Sequence, residues 1–246
     1  MTRAGAPALH PEWAYFLDMD GTLITLTLSP DGVRVDRRLR RTIEALHDFA
    51  GGAVALITGR PIADVDRLFP GLELLTAGQH GLERRTATGR VVRHAPPARR
   101  LDAARRRLGE AAARHPGLLL EDKGLSLALH YRRAPQLAGY AHRLARSQAA
   151  ALGEGYGLRA GKRVIEIAPR GKDKGGAIAA FMAEAPFRGR TPVFLGDDVT
   201  DEFGFRTVNQ LDGHSIKVGP GRTEARWRLA DVAAVRRWLT PPRSAR

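Results

Sequence analysis

The stretch FLDMDGTLI, residues 16–24, ends an apolar run with two carboxylates, Asp18 and Asp20, followed at once by Gly21 and Thr22. In an extended strand alternate side chains point to the same side, so the two aspartates face the same way. Two like charges this close at the edge of a core repel each other unless a cation lies near them. The stretch therefore predicts a buried strand whose end binds a cation, and the alternative is a simple turn before a helix.

The turn after the second aspartate has a predicted role of its own. Gly21 and Thr22 form a tight turn whose backbone N–H groups can face an anion. At the carboxyl end of a parallel strand this is the crevice in which ligands of open α/β sheets bind. We therefore count Gly21 among the predicted substrate contacts.

Composition limits the class of protein. The chain has 246 residues, of which 43% are hydrophobic and 27% are charged, as in an ordinary globular protein. No run of eighteen apolar residues is present, and residues 1–13 lack the apolar core of a secretory signal. With no cysteine there can be no disulfide and no thiolate metal site. We expect a cytoplasmic protein without a membrane partner.

The charge is strongly positive, with 40 basic against 26 acidic residues and a formal net charge of +14. A nucleic-acid partner is one explanation. However, the arginines are scattered over segments that read as solvent-facing helix sides, such as RRLRR at 37–41, and aromatic residues (6%) do not interleave with them. We expect no specific nucleic-acid partner, and a positive field would help to attract an anionic substrate.

Hydrophobic patterning predicts an α/β core. Residues 14–20 read as a buried strand, 36–49 as an amphipathic helix, and 53–60 as a second apolar strand. A helix beginning at Pro61 and a third strand within 72–83 follow. Alternating strands and helices favour a parallel sheet with helices on its faces.

The pattern changes near the two prolines of RHAPPARR, residues 93–100. We predict a polar helix over 98–114, a helix over 134–152 and a small α+β module. Its strand candidates are GLLLEDKG (117–124), LSLALHYR (125–132) and LRAGKRVIEIAP (158–169). The predicted division is a core of 1–93 and 169–246 with an inserted domain at 94–168.

Polar residues follow the other predicted strands or open a helix. Thr58 and Arg60 follow the second core strand, and Lys174 stands at a helix start, where an anion is favoured. A further buried strand ends in GDDVTDE, which supplies Asp197, Asp198 and Asp201. Oxygen ligands without cysteine suit magnesium (Mg2+).

These four elements, in this order, resemble the motifs of the haloacid dehalogenase superfamily of phosphatases. The resemblance covers about residues 13–93 and 169–240, and DMDGT and GDDVTDE carry most of its specificity. It implies a Rossmann-like core and a phospho-aspartyl mechanism. Asp18 would be the nucleophile, and Asp20 would be the acid that protonates the leaving oxygen and then the base that activates water.

The resemblance also implies roles for the remaining motif residues. Thr58 and Lys174 would stabilise the transferring phosphoryl group. The Mg2+ ligands would be Asp18, the Asp20 carbonyl and Asp197. Two further acids would complete the site, Asp198 beside the metal and Asp201 as an orienting acid on the substrate side.

A closer resemblance is to the trehalose-6-phosphate phosphatase family, through GQHGLE (78–83), EDKGLSLALHYR (121–132) and VIEIAPRGKDKG (164–175). It implies an α+β cap that closes over the active site, trehalose 6-phosphate as substrate, and a functional link to a trehalose-6-phosphate synthase. Gln79 stands where relatives commonly have asparagine. The implied substrate contacts are Gly21, Arg60, Gln79, His80, Lys123, Ser126, His130, Arg132, Glu166 and Asp201.

Two alternatives stay open at this point. One is a phosphatase of the same superfamily that acts on another sugar phosphate, such as sucrose or mannosylglycerate phosphate. The other is a basic nucleic-acid-binding protein with a degenerate phosphatase core. Intact acids at 18, 20 and 197 argue against the second, because buried carboxylates without a cation destabilise a protein.

Overall fold

The structure is a computed structural model and describes residues 2–26, 32–94 and 101–242. The chain divides into two compact units. The first, which we call the core unit, comprises Met1–Val92 and Asp173–Arg246, and the second, the inserted unit, comprises Arg93–Lys172. The predicted linker lies mostly outside the described residues, which omit 95–100.

The core unit contains a nine-stranded sheet in the order β1-β13-β12-β11-β2-β3-β4-β5-β6. Neighbours from β1 to β4 in this order run parallel, and β5 runs antiparallel to β4. The strands are β1 (Arg3–Ala4), β2 (Trp13–Leu17), β3 (Val54–Ile57), β4 (Leu75–Gly78), β5 (Glu83–Arg85), β6 (Val91–Arg93), β11 (Thr191–Gly196), β12 (His214–Val218) and β13 (Trp227–Leu229).

Strands β2, β3 and β11 are apolar and almost wholly buried, the pattern expected of a parallel sheet that helices cover on both faces. In β2 and β11, Phe16 pairs with Phe194, and both are fully buried. The helices of this unit are α1 (Arg37–Phe49), α2 (Ile62–Leu68), α5 (Lys174–Met182), α6 (Glu202–Gln210) and α7 (Val232–Trp238).

Helix α1 shows how the sequence determines these elements. The side chain of Asp36 accepts a hydrogen bond from the Leu39 N–H at 2.7 Å and so begins the helix. Leu39, Ile43 and Leu46 recur at helical spacing and are fully buried, whereas Arg37 is exposed. The arginine-rich segment is therefore the outer side of an amphipathic helix.

The inserted unit is an antiparallel sheet with two helices on one face. Its strand order is β7-β8-β10-β9, and the alanines of the second helix, Ala141, Ala145 and Ala149, lie in the apolar cluster between sheet and helices. The elements are α3 (Asp102–Arg114), β7 (Leu119–Asp122), β8 (Leu127–His130), α4 (Ala138–Leu152), β9 (Tyr156–Gly161) and β10 (Val164–Pro169).

One predicted strand in this unit is wrong in detail. The candidate 158–169 is two strands, β9 and β10, which pair antiparallel across Lys162 and Arg163. Arg163 has φ of +66°, the left-handed conformation that a tight hairpin requires. The class itself, an α/β core with a parallel sheet and an inserted α+β unit, is confirmed.

Candidate active site

The acidic residues of the first and last motifs meet because β2 and β11 are neighbours in the sheet. Asp18 directly follows β2, and Asp197 directly follows β11. Parallel strands end at the same edge, so both side chains lie at one point of the core unit. Asp18 and Asp197 are both buried, which is costly for carboxylates unless cations compensate them.

Asp18 is held through both of its carboxylate oxygens. Thr22 donates its hydroxyl hydrogen bond to Oδ2 at 2.9 Å, and the Lys174 ammonium donates to Oδ1 at 2.7 Å. Burial raises the pKa of the Asp18 carboxyl well above its ordinary range, Lys174 opposes this, and Asp201 and Asp197 raise the pKa further. Lys174 therefore favours the ionised form of Asp18 against the effect of burial.

Lys174 bridges two carboxylates. It is the first residue of α5, and its Nζ lies 2.7 Å from Asp18 and 2.6 Å from Asp201. Burial alone would lower the pKa of Lys174, but the two carboxylates outweigh burial and raise it above its ordinary value. Asp201 also accepts a hydrogen bond from the Asp198 N–H at 2.8 Å. Because Asp201 is fully buried, its surroundings favour an orienting role over the substrate contact that we expected.

Two glycines permit this close packing. A Cβ on Gly21 would lie 2.1 Å from Oδ2 of Asp197, and a Cβ on Gly196 would lie 2.2 Å from Cγ of Asp201. Gly21 also has φ of +89°, which glycine adopts without strain. The prediction that the turn's N–H groups face an anion is wrong, since Gly21 donates to the Ile24 carbonyl and Thr22 to the Met19 carbonyl.

Three carboxylates are close enough to hold one cation. An oxygen from each of Asp18, Asp197 and Asp201 lies within 4.8 Å of the others. An all-oxygen, anionic set of this kind fits a hard divalent cation. We expected Asp198 beside the metal, but it is Asp201 that completes this cluster, because Asp198 begins the following turn.

Asp20 is bound by Arg60 in a two-pronged ion pair. Nε and Nη2 of Arg60 donate to the two Asp20 oxygens at 2.6 and 2.8 Å. The arginine side chain is only 10% exposed, whereas that of Asp20 is 29% exposed. Arg60, which we expected to contact substrate, therefore fixes the side chain of the predicted acid and base.

The second motif region, around Thr58, joins the ends of β3 and β4. Thr58 is buried, and its hydroxyl accepts a hydrogen bond from the Arg60 N–H at 3.1 Å. The backbone N–H groups of Gln79 and His80 donate to the carbonyls of Arg60 and Thr58. Gln79 and His80 have φ of 48° and 58°, and such strain in non-glycine residues is typical of functional sites.

In the inserted unit, charged residues form a row across the face of the sheet that is opposite its helices. Glu121, Ala128, Glu166 and Arg159 are directly paired on neighbouring strands, so their side chains share this face. Glu166 is buried and accepts a hydrogen bond from the Ser126 hydroxyl at 2.5 Å. The opposite face is apolar and packs on α3 and α4.

Other predicted contacts in the inserted unit extend this row, with one exception. Lys123 Nζ lies 3.6 Å from Glu166, and His130 Nε2 lies 2.7 Å from Glu121. Burial raises the pKa of Glu121, but the His130 hydrogen bond and Lys123 outweigh it and lower the pKa overall. Arg132 instead donates to the Lys162 carbonyl at 3.0 Å, beyond the end of β8.

Several residues of these sites had no side-chain role in the sequence analysis. The Thr22 hydroxyl bonds to Asp18, and Glu121 and Arg159 belong to the charged row. The buried carboxylate of Glu83 accepts from the N–H of Ile62 at 2.7 Å and so holds the start of α2. The alternation of side-chain direction along the strand at 119–122 could have identified Glu121, because Glu121 faces the same way as Lys123.

The fold is the one found in phosphatases of the haloacid dehalogenase superfamily. A phosphatase of that superfamily from Bacteroides thetaiotaomicron matches the fold with a TM-score of 0.60 at 17% identity, covering 97% of this chain and 93% of that one. The C-terminal domain of C. albicans trehalose-6-phosphate phosphatase matches it with a TM-score of 0.82 at 21% identity, covering 97% and 98%.

The chain belongs to the trehalose-phosphatase family, whose model matches residues 16–233. It is similar to the trehalose-6-phosphate phosphatase of Escherichia coli (strain K12), with 46% identity over 234 residues. That alignment covers 95% of this chain and 87% of the relative. The match therefore includes both the core unit and the inserted unit.

Among residues 2–26, 32–94 and 101–242, no helix is long and apolar enough to cross a membrane.

Proposed function

We propose that this protein hydrolyses trehalose 6-phosphate to trehalose and phosphate, with Asp18 as the nucleophile. The main observation in support of this proposal is the environment of Asp18, a buried carboxylate that Thr22 and Lys174 hold at the carboxyl end of a central strand. The similarity to the E. coli enzyme named for this substrate supports the choice of sugar.

In the first step, a bond forms between a carboxylate oxygen of Asp18 and phosphorus while the bond from phosphorus to the sugar oxygen breaks. The positive charge of Lys174 offsets the negative charge of the phosphoryl group. Thr22 and Lys174 restrict the rotation of the carboxylate, so the attacking oxygen is already oriented before substrate arrives. Thr58, which directly follows β3, would donate a hydrogen bond to a phosphoryl oxygen.

Asp20 supplies and then removes the protons. It protonates the leaving sugar oxygen, and in the second step it takes a proton from the water that attacks the phospho-aspartyl group. In the structure, both of its oxygens accept hydrogen bonds from Arg60. We therefore propose that the Arg60 pair opens at one oxygen during the reaction and that Arg60 positions Asp20 rather than binding substrate.

We propose Mg2+ as the cation of the carboxylate cluster, held by Asp18 and Asp197 with Asp201 close by. Its small size and preference for carboxylate oxygens suit this ligand set. When bound, the ion would neutralise charge on the phosphoryl group and on the nucleophile. The expected ligands from the Asp20 carbonyl and from Asp198 remain part of this proposal.

The charged row of the inserted unit is the proposed site for the sugar that does not react. Hydroxyl groups of a disaccharide require side chains that donate and accept hydrogen bonds, and this row offers both. Ser126, Glu166 and Lys123 form one connected group, and Glu121 and His130 form a second. The proposal keeps the predicted cap role of this unit and adds Glu121 to the predicted contacts.

A ratio of activities tests the substrate proposal. Glu166→Ala and His130→Ala should each lower kcat/KM for trehalose 6-phosphate about tenfold or more, the effect of one charge-assisted hydrogen bond. With p-nitrophenyl phosphate, which has no second sugar, the loss should be much smaller. Glu110→Ala, a change of an exposed glutamate on α3, serves as the matched control and should leave both values unchanged.

Two results would contradict the proposal. Equal losses on both substrates would assign Glu166 and His130 to support of the fold. A wild-type protein that releases phosphate faster from sucrose or mannosylglycerate phosphate would transfer the function to that substrate. The cytoplasmic location and the link to a synthase that supplies the substrate remain part of the proposal.

A further inference from the structure

A second buried lysine lies next to the carboxylate cluster. Lys217 is on β12, is 4% exposed, and donates a hydrogen bond from its ammonium group to the backbone carbonyl of Asp197. Its Cα pairs with that of Gly196 on the neighbouring strand, one residue before Asp197. No motif in the sequence points to it.

A charged lysine is costly to bury, so its position calls for a compensating interaction. The contact with Asp197 is with its peptide oxygen. On its other side, the Asp197 carboxylate packs against Gly21, where a Cβ would be 2.1 Å away. Asp197 is thus fixed at its peptide by Lys217 and at its side chain by the turn after β2.

We propose that Lys217 is a positioning residue for the bound cation. By holding the Asp197 carbonyl, it orients the Asp197 carboxylate toward Asp18 and preserves the spacing of the cluster. This inference rests on the proposed metal site and identifies what keeps one of its ligands in place.

Lys217 and Lys174 therefore have different relations to the cation. Lys174 binds carboxylate oxygens of Asp18 and Asp201, the same class of atoms that a metal would use. Lys217 binds the peptide oxygen of Asp197. Loss of Lys217 should consequently weaken metal binding, although the loss also removes a positive charge from its vicinity.

The test measures metal affinity directly, with Mn2+ as the probe. Free Mn2+ is followed by electron paramagnetic resonance during titration, and Mg2+ is then measured by competition. Lys217→Met should weaken Mn2+ binding by about 10- to 100-fold, as is typical for groups that orient a metal ligand. Lys217→Gln retains a donor without the charge and should have an intermediate affinity.

Ser215→Ala is the matched control, because Ser215 is a fully buried polar residue on the same strand and face as Lys217. Its hydroxyl bonds to Asn209 rather than to the site. This variant should bind Mn2+ within about twofold of the wild type. Activity should follow the same order, with a higher Mg2+ concentration for half-maximal rate in the Lys217 variants.

Three outcomes would overturn the role of Lys217. The first is unchanged or tighter Mn2+ binding in Lys217→Met, and the second is an equal weakening of Mn2+ binding in Ser215→Ala. If Lys217→Met does not fold, the third is an Mn2+ affinity of Lys217→Gln equal to that of the wild type. A wild-type protein that binds neither Mn2+ nor Mg2+ would instead refute the proposed metal site itself. The two failures are therefore distinguishable.

Discussion

Replacement of Lys174 by methionine should make the stability of the protein depend on metal. The methionine nearly matches the length of the lysine side chain but removes the charge that bridges Asp18 and Asp201. Both carboxylates are buried, so water cannot take over this role. In chelator, three carboxylate groups would remain within 4.8 Å of one another without the lysine.

The magnitude follows from the burial of the pair. Breaking a buried ion pair by removing one partner costs about 3–5 kcal/mol. For a chain of this size, that corresponds to a fall in Tm of roughly 6–20 °C. Saturating Mg2+ should recover more stability in Lys174→Met than in the wild type, because the ion replaces the missing positive charge. Phosphatase activity should be lost.

The assay is urea unfolding with EDTA and with Mg2+, and Lys172→Met is the control. Lys172 is exposed and lies two residues before Lys174, so the same substitution there should change the free energy of unfolding by less than about 0.5 kcal/mol. If Lys174→Met lowered the free energy of unfolding in EDTA by less than about 1 kcal/mol, the reasoning would be refuted. The reasoning would also be refuted if Mg2+ raised the free energy of unfolding of Lys174→Met by no more than it raises that of the wild type.

Three further predictions concern other parts of the core unit. Asp20→Asn should release one equivalent of p-nitrophenolate from p-nitrophenyl phosphate and then nearly stop. The reason is that this leaving group needs no proton, whereas the second step needs a base. Steady turnover without a burst would contradict the proposed role of Asp20 as that base. Gly21→Ala should lower the free energy of unfolding by about 1–3 kcal/mol and weaken metal binding, because the Cβ of the alanine would meet Asp197. A wild-type free energy of unfolding together with wild-type metal affinity would show that the turn adapts to the alanine. Burial, with a smaller effect from Arg226, lowers the pKa of His214, so this residue stabilises the fold above its unfolded pKa of about 6.5, and this contribution is lost as the pH falls. The free energy of unfolding, measured with urea between pH 7 and 5, should therefore fall less steeply for His214→Gln than for the wild type. An identical fall in the two proteins would exclude His214 as the cause.

The places of Asp18 and Asp197 at the ends of buried strands could be predicted from the sequence, because these signals are local. An apolar run followed by a carboxylate predicts both a strand and what lies at its end, as at Asp18 and Asp197. The same reasoning predicted α1 from the spacing of its leucines and isoleucine. These patterns depend on neighbours within a few residues, and the structure retains them.

Side-chain partners were not predictable in the same way. Arg60 is an attractive phosphate ligand by position, yet it pairs with Asp20, 40 residues earlier in the chain. Lys217 lies in an ordinary strand pattern, and only the pairing of β11 with β12 brings it to Asp197. The β9–β10 hairpin was missed because its turn contains Arg163 rather than a second glycine at the left-handed position.

The strand order has a consequence for how the protein is made. β11 lies between β2 and β12, so the middle of the nine-stranded sheet is completed by residues 191–196, late in the chain. Until those residues leave the ribosome, β2 presents the apolar sequence WAYFL as an unpaired edge, which is prone to intermolecular pairing. Chains that terminate before residue 191 should therefore aggregate, and chaperones that cover exposed strands should bind them during synthesis.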